Sequence, residues 1–206
     1  NPYPSAADFR ARNDVARYFY DERASAGTFT DVLSRWVAVT TKLNPDPSQR
    51  NLRGRLSWAL ATPALASGID IDANSTDVVR TYFSYDAHGN TISSISSVPY
   101  SSTSTADAHF LITRTDYEYD LSTGSVVRVD FQPTVPAERF IHRYTYDGSG
   151  RLKYVETSRN DVLFDRDAAY DYNMNGTLRR ETIGEDSVQG RDYTYTLLGQ
   201  LKGINH

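Results

Sequence analysis

Apolar and polar residues alternate along most of the last two-thirds of the chain, and glycine-containing polar turns interrupt the alternation at short intervals. Five times the sequence gives an aromatic residue, any residue and a tyrosine, then a polar turn, a glycine and a return to apolar residues. Side chains at positions i and i+2 of a strand point to the same face, so each aromatic-x-Tyr pair places two rings side by side. The pattern predicts a series of β-hairpins. The copies run over 83–89, 117–124, 144–150, 170–176 and 193–199.

The spacing of these copies predicts a repeat architecture. The second tyrosines of successive copies stand 34, 27, 26 and 23 residues apart, within the range that is typical of stacked repeats. A hairpin alone is only marginally stable, so the units are expected to stack and share their aromatic faces. This favours packing between repeats as the role of the tyrosines over platforms for sugar or nucleic acid.

The turn that follows each tyrosine has a defined chemistry. An acid or amide such as Asp86 or Asp147 occupies the first turn position, where its side chain can accept hydrogen bonds from the backbone ahead. The glycine falls at the position that needs a left-handed conformation in a hairpin built on a type I turn. These residues are interpreted as structural. The repeat-defining residues are Tyr85, Asp86, Gly89, Tyr117, Tyr119, Gly124, Tyr144, Tyr146, Asp147, Gly150, Tyr170, Tyr172, Gly176, Tyr193, Tyr195 and Gly199.

The first 50 residues are less regular than the rest. Apolar residues recur at helical spacing after Thr30-Asp31, which favours a helix near 31–42. Against this, Tyr18-Phe19-Tyr20-Asp21 repeats the hairpin signature, so a degenerate hairpin is the alternative. The expected organisation is an irregular segment at 1–50 and repeats over 51–206. Within the repeats, 93–106 reads as a polar loop or exposed edge hairpin, and 132–136 as an outward loop.

Composition narrows the function classes. The chain has no cysteine, which excludes disulfides and thiolate metal sites. A net charge of −4 argues against binding to a phosphate backbone, and no stretch approaches the length of apolar residues needed to span a membrane. Because the sequence starts at Asn1 and stops just after a returning strand, we expect an internal fragment of a longer polypeptide.

Candidate chemical sites are weak in this sequence. The stretch 171–176 copies the opening of a calcium-binding loop, but Thr182 stands where the bidentate acid belongs, so a hairpin turn is favoured. The four histidines lack metal-ligand spacing, and no serine has a nucleophile context. Asp161, Asp165 and Asp167 are expected to pair with Arg159 or Arg166. We therefore expect no catalytic residue, no cofactor and no metal.

The repeats resemble those of the RHS or YD-repeat proteins. Tyr85-Asp86-x-x-Gly89-Asn90 and Tyr146-Asp147-x-x-Gly150-Arg151-Leu152 match the YD motif closely. The stretches 140–147, 188–196 and 199–205 also resemble RHS proteins of Bacteroidetes-type bacteria. The resemblance extends over 80–206 and, more faintly, from residue 51.

The resemblance implies a long β-strip that spirals into a hollow shell, which in related toxins encloses a C-terminal toxic domain. Some relatives cleave themselves at Asp-Pro-x-Gly, whereas the one Asp-Pro here, Asp46-Pro47, is followed by Ser48-Gln49. The expected function is a non-catalytic wall segment that encapsulates a toxin or other cargo for delivery in interbacterial or host interaction. Its partners would be the rest of its polypeptide and the cargo, and its location secreted or on the bacterial cell surface.

Two other functions stay open from the sequence. The first is a cell-surface adhesion module that recognises carbohydrate or protein through outward aromatic residues, Trp36 and Trp58 among them, and through the loops 93–106 and 132–138. The second is a carbohydrate-active enzyme, for which the sequence singles out no pair of carboxylates.

Overall fold

The structure, a computed structural model, describes residues 16–21, 49–61, 79–101 and 109–205. Within these ranges every regular element is a β-strand, and strands that follow one another pair antiparallel within each of the two units described below. This confirms the predicted mainly-β class built from β-hairpins. The segment 31–42, where the sequence favours a helix, lies outside the described residues, as does Trp36. The strands are β1 (Ala16–Tyr20), β2 (Leu56–Ala61), β3 (Val79–Tyr85), β4 (Thr91–Ser101), β5 (His109–Tyr119), β6 (Val126–Phe131), β7 (Phe140–Tyr146), β8 (Leu152–Ser158), β9 (Asp165–Tyr172), β10 (Leu178–Ile183), β11 (Gln189–Tyr195) and β12 (Leu201–Asn205).

The chain forms two compact units, Asn1–Asp116 and Tyr117–His206, and the division falls within β5. In the first unit β1 to β5 pair in chain order. In the second unit β6 to β12 also pair in chain order. Each unit is therefore a meander of hairpins. The expected boundary near residue 50 stays a prediction, because residues 22–48 are not described.

One face of the first unit carries its apolar core. Phe19, Trp58, Tyr82 and Ile95 lie directly opposite one another on four successive strands. The rings of Phe19 and Trp58 stack at 3.7 Å between centroids, and those of Trp58 and Tyr82 at 6.1 Å. Tyr82 and Ile95 are fully buried. Cross-strand aromatic pairs of this kind stabilise a sheet beyond the area that they bury.

The same buried face holds a charged group. Asp116 on β5 is fully buried and accepts a hydrogen bond from the Ser93 hydroxyl at 2.6 Å. The Nε of Arg114 donates to the same carboxylate oxygen at 2.7 Å. Buried carboxylates persist in proteins only when they are paired and hydrogen-bonded in this way.

A larger ion cluster lies in the second unit around Asp130, which is almost fully buried. Arg139 binds both Asp130 carboxylate oxygens, with Nε at 3.0 Å and a terminal nitrogen at 2.6 Å. Arg128 donates to Asp130 at 3.1 Å and to Asp161 at 2.7 Å. Asp161 therefore pairs with Arg128, a partner that the sequence did not suggest. Arg128 and Arg139 come from β6 and the loop after it, which a reading of sequence neighbours cannot identify.

Two further expectations need correction. Residues 93–101 are neither a loop nor an exposed edge hairpin, because they belong to β4, which pairs with both β3 and β5. Ser93 and Ser97 of this strand are buried. Trp58 is only 8% exposed and stacks between Phe19 and Tyr82, so it does not face outward. By contrast, 132–139 does connect β6 to β7 outside any strand, as expected for an outward loop.

Candidate functional site

The repeat-defining residues converge on the hairpin turns, and the turn between β7 and β8 shows the geometry. The Asp147 carboxylate accepts hydrogen bonds from the backbone nitrogens of Ser149 at 2.9 Å and Arg151 at 3.0 Å. The Gly150 nitrogen donates to the Asp147 carbonyl at 2.9 Å, and Gly150 has a φ of +76°. This is the left-handed position that the sequence assigned to glycine. The glycines of the other four repeats, Gly89, Gly124, Gly176 and Gly199, also have positive φ.

A bulge follows the turns at Gly89, Gly150, Gly176 and Gly199, and also the turn at Gly54, at the same place. Tyr146 lies opposite Leu152, whereas Thr145 lies opposite Tyr154, so Lys153 is the extra residue on the returning strand. A bulge bends the strand and increases its local twist. In each case the second tyrosine of the motif lies opposite the second residue past the turn. The other pairs with this register shift are Tyr20 with Leu56, Tyr85 with Thr91, Tyr172 with Leu178 and Tyr195 with Leu201.

The second tyrosine also joins its hairpin to the preceding one through what we call a tyrosine link. In a tyrosine link the phenol donates a hydrogen bond to the backbone carbonyl of the second residue past the glycine of the preceding turn. The Tyr172 hydroxyl donates to the Leu152 carbonyl at 2.8 Å, two residues after Gly150. The other tyrosine links run from Tyr85 to Leu56 at 2.8 Å and from Tyr146 to Val126 at 2.7 Å.

An arginine after the turn glycine reinforces two of the three tyrosine links. The Arg151 guanidinium lies over the Tyr172 ring, with Cζ 4.7 Å from the centroid, and donates to the Asn173 carbonyl at 3.3 Å. Arg55 repeats this arrangement in the first unit, 5.5 Å from the Tyr85 centroid and 3.3 Å from the Asp86 carbonyl. Each arginine therefore contacts the tyrosine ring that leads into the next turn and also donates to a backbone carbonyl of that turn.

The protonation states of these groups suit their contacts. Burial raises the pKa of Tyr85, Tyr146 and Tyr172, so the phenols keep the proton that they donate. The hydrogen bond from the Arg151 side chain, together with backbone donors, lowers the pKa of Asp147 to about 2. The Ser122 hydroxyl and neighbouring backbone nitrogens lower that of Asp120 to about 2. Asp120 and Asp147 are therefore ionised at neutral pH and accept these hydrogen bonds as carboxylates.

The hydrogen bonds of the tyrosines differ from one repeat to the next. At the junction of β10 and β11 the first tyrosine of the motif, Tyr193, donates to the Glu181 carboxylate at 3.0 Å. Within the described residues the Tyr195 hydroxyl has no hydrogen-bond partner. Tyr117 and Tyr119 lie on β5 and are half-buried, as are Tyr144 and Tyr170. The structure thus assigns the tyrosines different hydrogen-bond roles although their sequence context is the same.

The described residues that the sequence raised as metal ligands lie in turns and strands of the fold. In the ranges that the structure covers, no group of three or more histidine and acidic side chains could hold a metal ion. The stretch 171–176 ends β9 and forms a tight turn, with Gly176 donating to the Asn173 carbonyl at 2.9 Å, as a hairpin requires. His88 is exposed in its turn, and His142 stacks with Tyr144. No helix in the described part of the chain is long and apolar enough to cross a membrane.

Sequence reasoning missed both the acceptors of the tyrosine links and the role of the arginines. A signal was present, because the tripeptide Gly-Arg-Leu occurs at 54–56 and again at 150–152, each time one hairpin before a tyrosine that the arginine contacts. Comparing the residue after each turn glycine, rather than the tyrosines alone, would have found it. The cluster around Asp130 has no comparable signal, because its members occupy unrelated repeat positions.

Comparison with known proteins returns distant structural likenesses. No protein-family model matches the chain, and no curated protein matches it. The crystal structure of TcdB2-TccC3-Cdc42 is similar over 73% of this chain at 18% identity, with a TM-score of 0.49. The crystal structure of TcdB2-TccC3 without its hypervariable C-terminal region is similar over 73% at 16% identity, with a TM-score of 0.48. This chain spans 8% of the length of each of those chains.

Proposed function

We propose that the chain is a non-catalytic wall segment of an RHS-type repeat shell that encloses a toxin or other cargo for delivery in interbacterial or host interaction. Its partners are then the remainder of its own polypeptide and the enclosed cargo. The protein that carries it is secreted or displayed on the bacterial cell surface. The Bacteroidetes type is a further prediction from the resemblance of 140–147, 188–196 and 199–205.

The observation that carries this proposal is the tyrosine link. Three of the repeat tyrosines, Tyr85, Tyr146 and Tyr172, donate their hydroxyl hydrogen bonds to the preceding hairpin, at 2.7 to 2.8 Å. Turn acids bind their own turns, and arginines bind the next turn. A chain whose most repeated side chains join neighbours to one another is suited to building an extended rigid surface.

The adhesion alternative has less support. It relies on outward aromatic residues and on the loops 93–106 and 132–138. Trp58 is buried and residues 93–101 form the paired strand β4, whereas 132–138 does lie outside any strand. Among the described residues it retains the exposed aromatics Tyr18 at 59%, Tyr20 at 45% and Phe131 at 36%. Specific binding on a glycan array that is lost in Tyr18→Ala would favour adhesion over the wall.

Enclosure is tested by protease protection of the polypeptide that carries this chain, produced in its native form. The digest is followed over time by mass spectrometry across a series of urea concentrations. If the repeats enclose a cargo, segments outside the repeats survive as long as the repeats themselves. They then become cleavable at the urea concentration that unfolds the repeats.

The contrary result is also clear. If segments outside the repeats are digested at once while the repeat strands stay intact, nothing is enclosed. The control is the same polypeptide digested in denaturing urea, where every segment should be cut at comparable rates. Absence of enzymatic turnover is checked separately on a polysaccharide panel, and any turnover by this chain would contradict its proposed inertness.

A further inference from the structure

Two hairpin turns of the second unit carry apolar side chains at their tips. Met174 lies in the turn between β9 and β10, and Leu197 and Leu198 lie in the turn between β11 and β12. Met174 and Leu197 are fully exposed, and Leu198 is 89% exposed. Tight turns ordinarily hold small or polar residues at these positions, as Ser149 is in the turn between β7 and β8. The fold therefore presents large apolar side chains to solvent where polar ones are expected.

These turns share one end of the meander. Each strand from β7 to β12 runs antiparallel to the one before it, so the β7–β8, β9–β10 and β11–β12 turns lie side by side. Two strand spacings, about 10 Å, separate one turn from the next. The loops at 159–164 and 184–188 lie at the opposite end. Tips arranged in this way can meet one flat surface together.

The two hairpins with apolar tips lack the acid of the repeat. Asn173 and Thr196 stand at the turn position that Asp120 and Asp147 occupy in two earlier hairpins. The pKa of Asp147 is lowered to about 2, and an ionised carboxylate opposes entry of its turn into an apolar medium. Leu121 is also exposed, but it follows the ionised Asp120. Apolar tips and neutral turn residues thus occur together only in the β9–β10 and β11–β12 turns among the described hairpins.

A row of basic residues lies behind the tips. The extra residue of the bulge after the turn is Lys153 in β8, Arg179 in β10 and Lys202 in β12. The equivalent residue of β4 in the first unit is Ile92. Arg179 pairs with Asp171 at 3.4 Å on the exposed surface, whereas neither lysine has an acidic partner among the described residues. The row therefore carries positive charge although the whole chain is acidic.

The distance between the tips and the basic row matches the structure of a lipid surface. Each basic residue lies three residues past its turn glycine, which places it about 10 Å behind the turn. Apolar groups at a membrane interface enter about 5–10 Å into the boundary of headgroups and acyl chains. With the tips at that depth, the basic side chains reach the level of the lipid phosphates.

We propose that this end of the second unit docks on an anionic lipid bilayer. The surface, which we call the turn rim, consists of Met174, Leu197, Leu198, Lys153, Arg179 and Lys202. A bilayer accepts tips that stand about 10 Å apart because it has no fixed shape, whereas a groove in a partner protein needs a continuous apolar ridge. Each basic side chain near an anionic leaflet strengthens binding by about 5-fold. This inference does not depend on whether the wall encloses a cargo.

The test is co-sedimentation of the full chain with vesicles of phosphatidylcholine that contain about 30% phosphatidylserine. We expect binding that weakens as the salt concentration rises, and binding to pure phosphatidylcholine vesicles that is about 10-fold weaker or less. The double variant Lys153→Gln, Lys202→Gln should weaken binding to the anionic vesicles by about 10-fold.

A matched pair of variants tests the apolar tips. Leu197→Ser, Leu198→Ser should weaken binding to the anionic vesicles by about 10-fold or more. Val162→Ser, Leu163→Ser removes an adjacent aliphatic pair that is 78% and 72% exposed at the opposite end of the strands, and should leave binding unchanged. Circular dichroism of all variants checks that the fold is retained.

The absence of cysteine allows the orientation to be read with a single dye. Met174→Cys labelled with a polarity-sensitive dye should shift its emission to shorter wavelength on the anionic vesicles. Leu163→Cys with the same dye should not shift.

Three outcomes would overturn the proposal. These are no binding to the anionic vesicles, equal losses in the two serine double variants, and equal shifts of the two dyes. Absence of vesicle binding together with self-association that Leu197→Ser, Leu198→Ser abolishes would assign the turn rim to a second copy of the chain.

Discussion

Tyr172→Phe isolates the tyrosine link because it deletes one hydroxyl and leaves the ring in place. The ring is half-buried, and its contact with the Arg151 guanidinium at 4.7 Å does not need the hydroxyl. What is lost is the hydrogen bond to the Leu152 carbonyl at 2.8 Å. The substitution therefore tests the link and not the packing of the aromatic ring.

The size of the effect follows from the surroundings of that bond. A neutral hydrogen bond contributes about 0.5–1.5 kcal/mol net, and a buried acceptor left without a partner costs more. Because Leu152 is only half-buried, water can reach part of its surroundings, and we expect a loss of about 1 kcal/mol in the free energy of unfolding. That corresponds to an equilibrium constant for opening about 5-fold larger where β8 meets β9.

Hydrogen exchange followed by mass spectrometry measures this locally on the full chain, in peptides that cover β8 and β9. Tyr195→Phe is the matched control, because Tyr195 holds the same motif position and is half-buried, and its hydroxyl has no partner within the described residues. We expect faster exchange in Tyr172→Phe and no change in Tyr195→Phe. Equal exchange in Tyr172→Phe and the unmodified chain would refute the tyrosine link as a stabilising contact.

Three further predictions concern the turns and the ion cluster. Gly89→Ala should destabilise more than Gly150→Ala in thermal unfolding, because the φ of +103° at Gly89 lies further from the left-handed region open to alanine than the +76° at Gly150. Equal losses would contradict this. Asp147 has a pKa lowered to about 2 from 3.8, so its charge stabilises the fold above pH 4 and this contribution is lost as the pH falls toward 2. Between pH 6 and pH 2 the melting temperature should therefore fall less steeply in Asp147→Asn than in the unmodified chain. Superimposable curves would contradict a stabilising charge at Asp147. Asp130→Ala removes the buried partner of two arginines and should lower the free energy of unfolding in urea by about 3–5 kcal/mol. Asp192→Ala, in an exposed ion pair, should lower it by less than about 1 kcal/mol. Similar losses would show that the cluster is not a buried unit.

The parts of the fold that could be predicted from sequence are those fixed by local chemistry. A glycine after an acid forces a left-handed turn within four residues, so the turns at Asp147 and Gly150 can be placed without knowledge of the rest of the chain. Because side chains alternate between the two faces along a strand, the sequence determines which tyrosine rings lie on the same face of the sheet. These are short-range constraints, and the mainly-β hairpin fold follows from them.

The parts that could not be predicted depend on cross-strand register. Serine content made 93–101 look like a loop, but Ser97 lies opposite Arg80 and Ser93 opposite Asp116 on neighbouring strands. Small side chains there leave room for long or charged ones on the buried face, and this becomes visible only once the strands are aligned. The partners of Asp161 and the acceptors of the tyrosine links are hidden from local reasoning for the same reason.

If tyrosine links hold together a wall that encloses a cargo, removing these links together should expose what the wall encloses. The triple variant Tyr85→Phe, Tyr146→Phe, Tyr172→Phe is placed in the polypeptide that carries this chain, and the rate of proteolysis of segments outside the repeats is compared with that in Tyr195→Phe. We expect the triple variant to open more readily and to expose those segments faster, and we expect Tyr195→Phe to behave as the unmodified chain. Identical rates in all three proteins would contradict it.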